Sequence, residues 1–68
     1  MAKIELGVTL IATTDLAFKV RSDVGENWVP RKGNSFEPNN RAPEHRWKLP
    51  LEGVLTLHEN LAHEKGLI

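Results

Sequence analysis

Apolar and polar residues alternate without interruption from Lys3 to Leu10. A period of two residues is typical of a β-strand that buries one face and exposes the other. The apolar members of this run are Ile4, Leu6, Val8 and Leu10. A first strand that contributes these four side chains to the core is therefore predicted.

The alternation returns after the turn-forming residues Thr-Thr-Asp at 13–15. Residues 16–21 predict a second strand whose inward side chains are Leu16, Phe18 and Val20. Residues 22–27 contain three turn formers, which indicates a hairpin. Its return strand is expected over Glu26–Arg31, where Pro30 marks a strand end or a sheet edge. These three strands form an antiparallel meander.

Trp28 lies on the predicted return strand, next to the cations Arg31 and Lys32. One interpretation is that it fills the core, because an aromatic side chain buries on the order of 150–250 Å² and a small domain needs that area. The other is that it forms a platform on which nucleic-acid bases stack. We assign Trp28 to the core and interpret Trp47 in the same way, although Arg46 and Lys48 on either side make Trp47 the better stacking candidate.

Residues 33–45 read G-N-S-F-E-P-N-N-R-A-P-E-H and show no period, so a long central loop is predicted. Phe36 is the one aromatic residue in it. Its ring either pins the loop to the body of the domain or contacts a partner. Apolar burial favours the first alternative.

Residues 46–51, R-W-K-L-P-L, alternate again and predict a fourth strand that bends at Pro50 and buries Leu49. Residues 54–55 are expected to add a last short strand after Gly53. The sequence T-L-H-E at 56–59 matches a capping box, which predicts a helix over Leu57–Lys65 with Thr56 as its N-cap. Gly66 is placed to end that helix. The segment is too short to persist alone, so it must dock on the sheet, followed by Leu67 and Ile68.

The predicted fold class is α+β and mostly β, in a single domain over residues 1–68. It is a small antiparallel β-meander or partly open barrel of four to five strands, with one short C-terminal helix. A chain of this size is near the lower limit for a single unsupported core. The predicted core consists of Ile4, Leu6, Val8, Leu10, Leu16, Phe18, Val20, Trp28, Leu49, Leu57 and Leu61.

The amino-acid composition indicates the cellular location in which this domain is expected. Without cysteine there is no disulfide framework, and a reducing cytoplasm is the expected location. The longest apolar stretch, near Val8–Ala12, is too short to span a bilayer. Glu5 falls where a secretory signal would need apolar residues. No membrane association is expected.

Charge is balanced overall but uneven along the chain. Nine basic residues match nine acidic ones, so net charge attracts no polyanion. Seven of the nine cations nevertheless lie between residues 19 and 48, with only four acids. A cationic groove with aromatic faces is typical of single-strand nucleic-acid binders, often built on small OB- or SH3-like barrels. Single-stranded nucleic acid is therefore the alternative partner.

The segments L-A-F-K-V and W-V-P-R-K, joined by a glycine hairpin, carry a resemblance. Together they resemble small, uncharacterised proteins of phages and other mobile elements. There, a K-A-I-L-V … G … V-W-I-P-K hairpin precedes a C-terminal helix that ends W-L-A-x-x-K-G-L. The matching segments here are Leu16–Lys32 and Leu57–Leu67, with Asn60 in place of the tryptophan. The resemblance implies a mobile-element context in a bacterial host, and no catalytic residue comes with it.

The sequence predicts neither a metal site nor an enzyme. His58 and His63 are five residues apart on the predicted helix, whereas the zinc-binding H-E-x-x-H pattern needs a spacing of four. His45 lies in a different segment, and there is no glycine-rich phosphate loop. No catalytic residue, metal ligand or cofactor is assigned.

The remaining function is a non-catalytic binding protein that acts on a protein partner, for example by inhibiting or modulating a host complex. An edge strand adding a partner strand is one route, and self-association is another. Arginine and aromatic side chains are typical interface anchors. The predicted partner-binding residues, on the basic strands and the central loop, are Lys19, Arg21, Arg31, Lys32, Phe36, Arg41, Arg46, Trp47 and Lys48.

Phe18 provides a test of the predicted strand register. Replacing a fully buried phenylalanine with alanine is expected to lower the free energy of unfolding by about 3 to 5 kcal/mol, because a cavity remains. Thermal or urea unfolding of Phe18→Ala measures this loss. Unfolding that matches the wild type would place Phe18 outside the core.

Overall fold

The structure is a computed structural model that describes residues 2–68. The described chain forms five strands and two short helical segments, one before the last strand and one after it. The strands are β1 (Lys3–Thr13), β2 (Ala17–Arg21), β3 (Glu26–Pro30), β4 (Ser35–Pro38) and β5 (Leu51–His58). A 3₁₀ turn spans Glu44–Arg46, and the helix α1 spans Glu59–Glu64.

All five strands belong to one antiparallel sheet in the order β3-β2-β1-β5-β4. The predicted meander of β1, β2 and β3 is confirmed. β5 returns along the other side of β1, where it pairs over eight residues, and β4 forms the far edge. The mostly β, α+β fold class with one short C-terminal helix is therefore confirmed.

The sheet is strongly curled. β2 and β4 are separated by two strands, so their side chains on a flat sheet would lie at least about 14 Å apart at 4.8 Å per strand. The ring centroids of Phe18 and Phe36 are instead 6.2 Å apart. Curling also allows the four residues 31–34 to link β3 to β4 at the opposite edge. A bulge at Ile11, where the β1–β2 register shifts, adds local bend and twist.

The concave side of the curled sheet encloses the core. Its buried side chains are Val8, Leu10, Phe18, Val20, Val29, Phe36, Leu55, Leu57, Ala62 and Leu67. Ile4, Leu6 and Leu61 are half-buried against this cluster. Helix α1 contributes Ala62 to one part of the core, and the segment between β4 and β5 contributes Trp47 beside Phe18.

Three residues predicted for the core lie on the surface. Leu16 is 80% exposed because it precedes β2, and Leu49 is 40% exposed in the segment before β5. Trp28 is 39% exposed. The hairpin pairs Val29 with Phe18, so Val29 is the inward residue of β3 and Trp28 points to the opposite face.

The region predicted as a long loop contains strand β4. Ser35–Pro38 pairs with β5, and Phe36 sits opposite Leu55 with its ring buried. Phe36 therefore anchors this segment to the body of the domain, which is the first of the two interpretations given for it. The sequence pattern does not indicate this strand, because the strand is only four residues long and ends in a proline, Pro38.

The fourth strand predicted over residues 46–51 is wrong. Trp47 instead follows the 3₁₀ turn, and its indole Nε1 donates to the Ala42 carbonyl oxygen at 2.9 Å. The Leu49–Pro50 peptide bond is cis. The last strand begins at Leu51 and is longer than the two residues expected, because its pairing with β1 extends to His58.

The helix begins later than the capping-box pattern predicts. Thr56 lies within β5, opposite Glu5, and its side chain caps nothing. The Glu59 amide N–H donates instead to the Ala2 carbonyl oxygen at 3.1 Å. Pairing between β1 and β5 thus takes precedence over an early helix start.

The predicted helix end is confirmed. Gly66 has a φ of 69°, which glycine adopts without steric cost. The Leu67 amide N–H donates to the Ala62 carbonyl oxygen at 2.9 Å, and the Leu67 side chain is fully buried. The carbonyl oxygen of Leu67 accepts a hydrogen bond from the Ser22 hydroxyl at 2.7 Å. The C-terminal residues are therefore fixed against the β2–β3 hairpin.

Gly53 and Gly7 make a matched pair of glycines on neighbouring strands. A Cβ atom on Gly53 would lie 2.6 Å from Phe36 Cζ and would overlap the Glu37 carbonyl oxygen, whereas one on Gly7 would meet nothing within 4 Å. We expect Gly53→Ala to lower the free energy of unfolding by about 1 to 3 kcal/mol through overpacking. Gly7→Ala should be neutral or stabilise by up to about 1 kcal/mol.

Urea unfolding of the two variants measures this difference. Equal stabilities for Gly53→Ala and Gly7→Ala would contradict the close approach of Phe36 to β5.

Candidate partner-binding face

The convex side of the sheet, called the outer face here, is covered by no other element of the described chain. Alternation along each strand assigns its residues. They are Lys3, Glu5, Gly7, Thr9 and Ala12 on β1, Ala17, Lys19 and Arg21 on β2, Glu26, Trp28 and Pro30 on β3, Ser35 and Glu37 on β4, and Glu52, Val54, Thr56 and His58 on β5.

One half of the outer face carries an aromatic residue beside two cations. The Lys19 ammonium lies 5.8 Å from the centroid of the Trp28 ring. The Glu26 carboxylate accepts from Arg21 Nε at 3.2 Å and lies 3.5 Å from Lys19 Nζ. Glu26 therefore orients both cations and neutralises part of their charge. These four residues, Lys19, Arg21, Glu26 and Trp28, form the tryptophan patch.

The other half of the outer face is acidic. Glu5, Glu37 and Glu52 surround the half-buried Val54 on β1, β4 and β5. Beside them is a shallow hollow of about 440 Å³. Its lining residues are Thr9, Asn39, Asn40, Pro50, Leu51 and Glu52. In this half of the outer face the acidic Glu52 lies next to the apolar Pro50 and Leu51. In the tryptophan patch, by contrast, cations lie next to an apolar ring.

The β3 edge of the sheet is poorly suited to adding a strand. The Arg31 amide N–H donates to the Leu16 carbonyl oxygen, so alternate residues, among them Trp28 and Pro30, turn their backbone groups away from β2. Pro30 has no N–H. The Trp28 N–H donates to Asn27 Oδ1 at 2.7 Å, and the Pro30 carbonyl oxygen accepts from the Asn34 amide at 2.8 Å. Few outward backbone groups remain for a partner strand.

The β4 edge is equally limited. The Asn39 N–H donates to the Glu52 carbonyl oxygen, so Phe36 and Pro38 are the β4 residues whose backbone faces away from β5. Pro38 has no N–H, and its carbonyl oxygen accepts from the Arg41 N–H at 3.0 Å. Only Phe36 offers an N–H on this short edge. The outer face, rather than either edge, therefore provides the larger contact area.

Arg31, a predicted partner-binding residue, is held in place by the fold. Its Nε donates to the Thr14 carbonyl oxygen at 2.8 Å, and its Nη1 donates to Glu44 Oε1 at 2.9 Å. Its guanidinium carbon lies 4.5 Å from the centroid of Phe18. Arg31 thus connects the β1–β2 turn, the 3₁₀ turn and the core.

Two predicted contact aromatics also belong to the interior. Phe36 and Trp47 meet edge to face with centroids 5.5 Å apart, and both approach Phe18. Trp47 is half-buried, so it is not the stacking platform that its flanking cations suggested.

The remaining predicted residues are exposed cations that do not form one patch with Lys19 and Arg21. Lys32 lies in the β3–β4 turn, and Arg46 and Lys48 flank Trp47 in the segment before β5. Arg41 lines a second depression, of about 390 Å³, on the acidic side of the outer face. On the outer face, the structure therefore brings together only Lys19 and Arg21 from the predicted set.

Trp28 is a contact candidate that the sequence interpretation considered as a stacking platform but assigned to the core. A signal for it exists in the turn S-D-V-G at 22–25. Arg21 pairs with Glu26 across this four-residue turn, and Ser22 N–H donates to the Gly25 carbonyl oxygen at 2.8 Å. Two residues away from that pair on each strand, Trp28 lies opposite Lys19. It therefore shares the face on which the predicted second strand carries its cations.

Within residues 2–68, no cluster of three or more histidine, cysteine, aspartate or glutamate side chains is positioned to hold a metal ion. No helix of the described chain has the length and apolar character needed to cross a bilayer. Comparison with models of protein families, with curated proteins and with solved structures finds no match for this chain.

The contact between Arg31 and Glu44 gives a pH-dependent prediction. The hydrogen bond from Arg31, assisted by its charge, lowers the pKa of the Glu44 carboxyl below its ordinary value of 4.5. A lowered folded-state pKa adds stability above the unfolded-state value, and this stability is lost as the pH falls through the folded-state pKa. Because Glu44 is largely exposed, we expect Glu44→Gln to lose at most about 1 kcal/mol at neutral pH.

Thermal unfolding of the wild type and Glu44→Gln between pH 7 and pH 2 measures this contribution. The two curves should converge as the pH falls below 4.5 and through the lowered pKa of Glu44 in the folded state. A difference that stays constant over the whole range would show that the charge of Glu44 contributes nothing.

Proposed function

We propose that this protein is a non-catalytic binding protein that contacts a protein partner through its outer face. The observation that carries the proposal is the exposed Trp28 ring beside Lys19 and Arg21 on a sheet face that no other described element covers. Tryptophan and arginine are the side chains most enriched among residues that dominate binding energy at protein interfaces.

The chemistry of the tryptophan patch indicates what the partner presents. Lys19 and Arg21 favour an acidic side chain, and the Trp28 ring favours an apolar one next to it. We therefore propose a partner segment in which aspartate or glutamate adjoins an apolar residue. In the mobile-element context implied by the resemblance, such a segment would belong to a host complex that this protein inhibits or modulates.

Single-stranded nucleic acid is the second candidate, and the exposed Trp28 ring favours it too. A base could stack on the indole while Lys19 and Arg21 approach phosphates. Two features weigh against it. Glu26 sits between the two cations, and Glu5, Glu37 and Glu52 occupy the rest of the face, where they would repel a phosphate backbone.

Selection of ligands from a random displayed-peptide library on the immobilised protein tests the proposal. We expect enriched peptides to share an acidic residue next to an apolar one. Trp28→Ala should weaken their binding at least about 30-fold, because a central tryptophan is typically worth 2 kcal/mol or more. Lys65→Ala is the control, since it removes a cation at the end of α1, away from the outer face and outside the predicted contact set, and should leave binding unchanged.

A parallel titration with a single-stranded oligonucleotide at low and physiological salt separates the two candidates. Binding that quenches tryptophan emission, weakens steeply with salt and requires Trp28 would favour nucleic acid. Peptide binding that is equal in the wild type and Trp28→Ala would contradict the proposed contact.

A further inference from the structure

We infer that Glu26 sets the specificity of the tryptophan patch, so that a protein segment with a single carboxylate binds there and a nucleic-acid backbone does not. The inference rests on the proposed function, because it concerns the selection of ligands at the same site. It is carried by the position of the Glu26 carboxylate, which is close to both cations of the patch.

The four residues of the tryptophan patch belong to a single hairpin. Arg21 and Glu26 lie directly opposite each other on β2 and β3, and Lys19 lies opposite Trp28 two residues farther along. Side chains at such positions are neighbours on one face of two paired strands. The arrangement therefore depends on the pairing of β2 with β3 and not on the curvature of the rest of the sheet.

The Glu26 carboxylate occupies the position at which an anionic ligand would meet both cations. Its Oε1 atom accepts from Arg21 Nε at 3.2 Å, and its Oε2 atom lies 3.5 Å from Lys19 Nζ. The Lys19 ammonium is in turn 5.8 Å from the centroid of the Trp28 ring. Two positive charges and one negative charge leave the patch with only one uncompensated positive charge.

Glu26 contributes little to the stability of the hairpin. Its side chain is 36% exposed, and ion pairs at such positions are weak in water. The turn between β2 and β3 is held instead by the Ser22 N–H, which donates to the Gly25 carbonyl oxygen at 2.8 Å. Replacing Glu26 with glutamine should therefore leave the hairpin folded and change mainly the charge of the patch.

The other members of the patch do not distinguish a protein segment from a nucleic acid. An indole ring packs against apolar side chains and also stacks on bases. Lys19 and Arg21 can donate to carboxylates and to phosphates alike. Glu26 is the member of the patch whose charge opposes an anionic ligand, so discrimination at this site depends on it.

Repulsion by Glu26 increases with the number of anionic groups that a ligand brings to the patch. An anion bound to Lys19 Nζ would lie within about 6 Å of the Glu26 carboxylate, since that carboxylate is 3.5 Å from the same nitrogen. At this distance, one like charge in water weakens binding by about threefold. A partner with one carboxylate loses that factor once, whereas two phosphates beside a stacked base would lose about tenfold.

Fluorescence anisotropy with a labelled single-stranded oligothymidylate at low salt tests the inference. Glu26→Gln should bind this oligonucleotide at least about tenfold more tightly than the wild type does, because the repulsion of two phosphates is removed. A library-selected peptide with one acidic residue should gain only about threefold. Glu64→Gln is the matched control, since it makes the same charge change on α1, away from the outer face, and should bind both ligands as the wild type does.

Two further measurements separate this role from a general effect of charge. The salt dependence of oligonucleotide binding should become steeper in Glu26→Gln, by about 0.7 in the log–log slope for each added phosphate contact. Adding Trp28→Ala to Glu26→Gln should remove the gain, because the two cations act beside the indole ring. Thermal unfolding confirms that each variant is folded.

Equal affinities of Glu26→Gln and Glu64→Gln for the oligonucleotide would overturn the inference. A gain that persists after Trp28→Ala, or one that is as large for the peptide, would do the same. If peptide binding requires Trp28 while Glu26→Gln gains nothing, the proposed function stands and only the role of Glu26 is wrong. If the binding of neither ligand depends on Trp28, both fail.

Discussion

The contact of the Phe36 ring with Gly53 and Phe18 is the constraint on which this small fold depends. It draws the edge strand β4 towards β5 and brings the Phe36 ring within 6.2 Å of the Phe18 ring on β2, three strands away in the sheet. Phe36 could not take this position if residue 53 had a side chain. A chain of 68 residues has little apolar area to bury, and curling the sheet lets one face enclose most of it.

The curl also determines which surface is left for recognition. Phe18, Phe36 and Trp47 pack together in the interior, and Arg31 is held by Thr14 and Glu44. The predicted contact residues that the central segment leaves at the surface are therefore scattered cations. The convex face keeps Trp28 and the ordered pair of Lys19 and Arg21. Interior packing and surface chemistry are thus two consequences of the same strand register.

The sequence pattern predicts the elements whose side chains alternate over many residues. β1, the meander and the Gly66 helix end follow from local periodicity and backbone conformation. Trp28 is assigned inward because a small domain needs its apolar area, but register decides the face, and register depends on the four-residue turn before β3. β4 and the late start of α1 depend on pairing between residues far apart in the chain, which no local pattern contains. The contact face was therefore predicted only in its two β2 cations.

Acrylamide quenching of two single-tryptophan variants tests the central claim, that Trp28 lies on the outer face and Trp47 in the interior. Trp47→Phe reports on Trp28 alone, and Trp28→Phe reports on Trp47 alone. Because Trp28 is 39% exposed, we expect it to emit at longer wavelength than Trp47 and to be quenched more readily by acrylamide. Trp47, packed against Phe36, should emit at shorter wavelength and be shielded. The reverse order would return Trp28 to the core and remove the proposed binding face.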